Sequence, residues 1–318
     1  MDIGFALPVS GSWATAENCI EIAESAERLG YRSLWTFQRL LSPVTPAGDQ
    51  WLPPAYHSVL DPLSVLAFVA ARTSRIRLGV AVINAPFLAP VQLAKISATV
   101  DQLSDGRLDL GIGTGWMPDE FQATGAAFER RGAQMEEYLR ALAACWTDGV
   151  TSFEGEFSAL PASVISPPPM QRPRPQLLLG GAAPAALRRA GRLADGWISA
   201  STTDLTTIGE SVALIRAAAI EAGRNPDRLR FISRGVVKVR EGERAPLTGS
   251  VDEIRSDIVG LGDQGITEVF VDLNFDPEIG SPDVDPVRSM QRARRVLEEL
   301  APFPTPGGVH FEQESSSG

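Results

Sequence analysis

The stretch LDLGIGTGWMPDEF, residues 108–121, has the residue types of a ligand-holding turn: glycines, then an aromatic ring, then two carboxylates. A dinucleotide fingerprint needs glycine at the first, third and sixth positions where a strand opens into a helix. Gly111 and Gly113 meet the first two requirements, but Trp116 occupies the sixth, so the fingerprint fails. A second glycine pair lies in QLLLGGAAPAALRRAG, residues 176–191. An apolar strand runs into Gly180 and Gly181, and a helix follows with Pro184 in its first turn. The N–H groups of Gly181, Ala182 and Ala183 then project from a helix N-terminus, where the dipole favours an anion such as phosphate. A plain strand-to-helix turn is the other reading of both stretches.

Groups able to exchange protons are few. His57 and His310 are the only histidines, one in a long loop and one in the tail, and His57 could supply a proton. Asp119 and Glu120 could act as acid or base. Lys95 and Lys238 are the only lysines, and neither is well placed for imine chemistry. No His, Cys and carboxylate cluster has metal-ligand spacing, and no Ser-His-Asp arrangement can be assembled. No metal is expected. Phe37, Trp51, Tyr56 and Trp116 could wall a substrate pocket.

These residues need a scaffold, and the apolar pattern predicts one. IGFAL (3–7), RSLWTF (32–37), IRLGVAVI (76–83), GRLDLGIG (106–113), QLLLGG (176–181), DGWISA (195–200), LRFISRGVVKV (229–239) and ITEVFVDL (266–273) read as strands. A helical segment follows each. Within these segments Pro62 and Pro90 open helices, Gly30 stops one, and SVDE (250–253) forms a capping box. Eight strand–helix units imply an α/β fold, a (β/α)8 TIM barrel, with an insertion between strands four and five at about 150–175. A doubly wound open sheet is the alternative. Residues 1–301 form one domain and 302–318 a disordered tail. Residues 38–61 hold Pro43, Pro46, Pro53 and Pro54 without periodicity, a long loop of the kind that serves function.

The chain has 318 residues and a formal net charge of −10, which argues against nucleic acid and anionic membrane as partners. Cys19 and Cys145 fall in helical patterns and read as buried thiols rather than a disulfide. With neither a secretory leader nor a long apolar run, the sequence is expected to be cytoplasmic.

LGYRSLWTF, DPLSVLAFVAARTSRIRLGVAV, PVQLAKISATVDQLSDGRLDLGIGTGWMPDEFQATG, WTDGVTSFEGEF and LLLGGAAPAALRRAGRLADGWIS together resemble the luciferase-like superfamily of flavin and deazaflavin oxidoreductases. The resemblance spans roughly residues 2–300 and is greatest to the branch that depends on coenzyme F420. It implies a cofactor ring in the barrel mouth, backed by a non-proline cis peptide at Ala81–Val82 on strand three. Gly111 to Gly115 would let the ring approach the backbone, with Trp116, Asp119 and Glu120 at its border. Gly180, Gly181 and Ala182, with Ser199, Ala200 and Ser201, would hold the cofactor phosphate. Many relatives end strand two with an Asp-His pair, where this chain has Gln38 and Arg39. Arg39 stays protonated and suits a carboxylate or a developing negative charge, or else a surface salt bridge.

The resulting expectation is hydride transfer between F420 and a small-molecule substrate. The alternative is an FMNH2-dependent monooxygenase using oxygen, for which a separate cofactor reductase would be a partner. A flavin-binding barrel without turnover and a non-redox barrel enzyme are further alternatives. The resemblance also implies a homodimer.

Overall fold

A computed structural model describes residues 1–302. Eight parallel strands close into a barrel, in chain order around the ring. They are β1 (Asp2–Ala6), β2 (Ser33–Thr36), β3 (Arg77–Asn84), β4 (Leu108–Gly113), β5 (Gln176–Gly180), β6 (Gly196–Ile198), β7 (Arg230–Val236) and β8 (Glu268–Asp272). The helices are α1 (Ala16–Arg28), α2 (Pro62–Ala70), α3 (Pro90–Leu103), α4 (Pro118–Thr124), α5 (Arg131–Cys145), α6 (Pro184–Leu193), α7 (Ile208–Glu221), α8 (Val251–Asp263) and α9 (Pro286–Glu299). The barrel is therefore as expected, and the open sheet is excluded.

After β4 the chain forms two helices, and Gly125, left-handed at φ +70°, ends the first of them, α4. One expectation is corrected. The seventh strand stops at Val236, and Lys238–Val239 instead pairs with Thr248–Gly249 outside the barrel. The insertion is an antiparallel hairpin of Val150–Glu154 and Ala159–Val164, packed along α5. The tail expected to be disordered and His310 lie outside the described residues, apart from Pro302.

Strand alternation sorts side chains between two cores. Leu34, Leu78, Leu110, Leu179, Phe231 and Val269 face outward into the helical layer. Ala6, Trp35, Ala81, Leu178, Ile198, Ile232 and Phe270 fill the interior, where Trp35 stacks on Phe270 at 5.1 Å between centroids. Beneath this apolar layer, towards the strand N-termini, lies a buried ionic one. Asp109 accepts from Arg77 and, at 2.8 Å, from Arg230, and Arg230 also reaches Glu268 at 2.8 Å. Above it, at the strand C-termini, is the mouth.

Candidate active site

The mouth holds a cavity of about 230 Å3. Its floor is made where β3 breaks register with β4. The pairing is regular to Val80 and resumes at Ile83, and the two residues between carry the cis peptide Ala81–Val82. The bulge directs Val82 across the barrel, and the neighbouring strands accommodate it with glycine. A Cβ on Gly113 would lie 2.6 Å from Val82 Cγ2, and one on Gly180 would lie 3.1 Å from Val82 Cγ1. The glycines in this part of the cavity are thus required by the bulge.

Beyond Gly180, the backbone of Gly181–Ala183 is exposed and leads into α6, whose first-turn N–H groups have no intrahelical acceptor. Gly181 adopts φ +125°, a conformation natural only to glycine, and its carbonyl accepts the indole N–H of Trp197 at 2.9 Å. At the end of β6, the Ser199 hydroxyl accepts the Arg234 N–H, and the Ala200 N–H donates to the Thr203 hydroxyl at 3.0 Å. Gly180, Gly181, Ser199, Ala200 and Ser201 all line the cavity, as do Ala81, Val82, Gly113 and Trp116.

The opposite part is built from β2, the long loop after it and the β4–α4 loop. Gln38 is buried, and its side-chain oxygen accepts the Asn84 N–H at 2.9 Å, tying β2 to the end of β3. Arg39 is buried too, with its side chain 4% exposed. It pairs with Glu120 at 2.8 Å, and its guanidinium lies 4.6 Å from the Tyr56 ring centre and 4.9 Å from that of Trp116. Glu120 also accepts the Leu40 N–H at 2.8 Å, so it clips the start of the long loop to α4.

Five expected participants stand apart from the cavity wall. Glu120 sits behind Arg39. Asp119 is exposed in the first turn of α4. His57 is half-buried, with Nε2 2.6 Å from the Leu52 carbonyl. Trp51 is exposed outside the cavity, and Ala182 borders it only through its neighbour Gly181.

Sequence reasoning missed Arg234. It lines the cavity from β7, bonds Asp272 on β8 through Nε at 2.7 Å, and lies against the rings of Phe37 (4.7 Å) and Phe275 (4.3 Å). Asp272 is held in turn by the N–H and amide of Asn274, both at 2.9 Å. The signal was available. Arg230 and Arg234 on one strand, and Glu268 and Asp272 on another, repeat at a spacing of four residues, which puts opposite charges on one face at two levels.

Among the described residues, the cavity lining contains no Asp, Glu, His, Cys or Lys. Among the described residues no cluster of metal-ligating side chains occurs, and no helix is long and apolar enough to cross a membrane.

A family model described as luciferase-like monooxygenase matches residues 3–254. The chain belongs to this family. The chain is an enzyme of this luciferase-like family of oxidoreductases and monooxygenases. An uncharacterized Mycobacterium tuberculosis protein is 34% identical over 241 residues, covering 69% of this chain and 85% of that protein. The FMNH2-dependent dimethylsulfone monooxygenase of Pseudomonas putida is 31% identical over 206 residues, 64% of this chain and 53% of that protein. The solved coenzyme F420-dependent tetrahydromethanopterin reductase of Methanopyrus kandleri superposes with a TM-score of 0.72 at 17% identity, covering 95% of this chain and 98% of that one.

Proposed function

We propose that this luciferase-like enzyme moves a hydride between coenzyme F420 and a small organic substrate in the barrel mouth. The observation that carries the reading is the charge arrangement of the cavity. Arg39 and Arg234 line it, while their carboxylate partners do not, and among the described residues the wall has no Asp, Glu, His, Cys or Lys. Such a wall would stabilise the negative charge that develops as a hydride moves, leaving the accompanying proton to the phenol of Tyr56, which also lines the cavity.

The residues present fit the cofactor. The bulge at Ala81–Val82, with Gly113 and Gly180 beside it, leaves a shallow, backbone-lined floor for a flat ring. Gly181, Ala182 and the Ser199 and Ser201 hydroxyls would hold its phosphate at the α6 N-terminus. The cofactor supplies the hydride chemistry, and the protein orients the reactants and excludes water. Gln38 fixes the end of β3 through the Asn84 N–H, and Arg39 and Arg234 would stabilise charge on a bound substrate or ring oxygen. Tyr56 lines the cavity and carries a phenol, so it is the proposed route for a proton to reach solvent.

Anaerobic assays with F420 and a panel of secondary alcohols and ketones test the proposal. Substrate-dependent oxidation or reduction of F420 without oxygen is expected. The second reading, oxygen-dependent monooxygenation with reduced FMN, is favoured by the similarity to the Pseudomonas putida enzyme. It replaces the first if turnover needs oxygen and reduced FMN.

A further inference from the structure

We infer that the substrate is a flat aromatic or conjugated molecule bearing an anionic oxygen, held against Tyr56 and Trp116 in front of Arg39. The inference rests on the cofactor reading only in assigning the other part of the cavity to the ring.

The cavity has two chemically distinct ends. From β3 round to β6 its lining is glycine and small residues with Val82, Asn84 and Ile198 and no aromatic ring until Trp116, suited to a ring that must come close to the chain. At β2 and the two adjoining loops it changes to Phe37, Arg39, Tyr56 and Trp116. The rings there form a continuous cluster, Phe37 to Tyr56 at 6.1 Å, Tyr56 to Phe275 at 5.2 Å and Tyr56 to Trp116 at 6.4 Å. All three contacts are edge-to-face rather than stacked, and Arg39 lies over Tyr56 and Trp116, so a ligand ring would meet the area these contacts leave exposed.

Trp116 remains 50% exposed at the cavity although Arg39 already lies against it. A large aromatic side chain left half bare inside a recess is a surface for a ligand. A flat π-system recovers that area with favourable offset or edge geometry, whereas a saturated ring recovers area alone.

Charge sets the second property. Arg39 and Arg234 stand at the wall, with Glu120 and Asp272 behind them. A ligand meets each cation at closer range than its carboxylate, and in a water-poor cavity the nearer charge dominates. The Arg39 Nε is buried without a hydrogen-bond partner among the described residues. A carboxylate or phenolate brought against this wall would find the positive end of both pairs. An ammonium group would be opposed by them.

The test uses full-length protein with and without saturating F420 or FMN, titrated by calorimetry with naphthoate, fully hydrogenated naphthoate and naphthylmethylammonium. Naphthoate is expected to bind about tenfold more tightly than its saturated counterpart, with the ammonium compound weaker still. The preference should persist when cofactor is bound. Trp116→Leu and, separately, Tyr56→Leu should abolish the aromatic preference; two variants guard against one failing to fold. Equal binding of the aromatic and saturated acids, or displacement of naphthoate by cofactor, would overturn the inference. Failure to bind either cofactor would instead contradict the cofactor reading, and the naphthoate comparison on the free protein would still decide the wall.

Discussion

Arg39 and Glu120 show how a site can be legible by residue and illegible by relationship. Both stand out in the sequence as chemically capable, one as an anion holder and the other as an acid or base. Their pairing across 81 positions depends on closure of the barrel and could not be read from spacing. Burial makes that pairing consequential, because removing one member leaves an isolated charge away from water. Glu120→Ala is therefore expected to destabilise the protein by about 3–5 kcal/mol in urea unfolding. The same variant should loosen Trp116, seen as a shifted emission spectrum. Arg234 and Asp272 were overlooked because their strands read as apolar cores, although their charges alternate with the apolar residues. The thiols are simpler. Burial pushes Cys19 up to about 12 and also raises Cys145. Neither should react with a thiol reagent at pH about 8 until the protein is unfolded.

At the scale of elements, local signals were reliable where they depend on neighbouring residues. The capping box at Ser250 and Glu253 is present, with the Ser250 N–H donating to Glu253 at 2.8 Å. Ser250→Ala should cost about 1 kcal/mol. The strands were visible from apolar runs, but the early end of β7 was not, since the apolar pattern continues through Val237 to a separate two-residue pairing. The bulge of β3 leaves no periodicity signal in its own strand. Its imprint lies in the partner, where Gly111 and Gly113 face inward. A Cβ on Gly111 would stand 2.1 Å from the Val80 carbonyl oxygen, a backbone atom with little room to retreat. Gly111→Ala should cost at least about 1–3 kcal/mol by chemical denaturation and weaken cofactor binding by displacing the floor.

The whole molecule is a stack, with ionic residues at the base of the barrel, apolar residues in the middle and the mouth above. Burial alone would raise the Asp109 carboxyl, but Arg230 and then Arg77 hold it below its ordinary range. A lowered folded value contributes stability above the ordinary carboxylate pKa of about 3.9 and loses it as acid titrates the folded group. Melting temperature should accordingly fall on acidification, and Asp109→Asn should be less stable at neutral pH and lose part of that acid dependence.

The measurement closest to the central claim is an anaerobic titration of the purified protein with F420 and with FMN, each oxidised and reduced, followed by fluorescence. Tighter binding of F420 is expected, weakened when Gly181 is changed to Val at the proposed phosphate end. Preference for reduced FMN would contradict hydride transfer from F420 and turn attention to oxygen consumption, and binding of neither would contradict both cofactor readings.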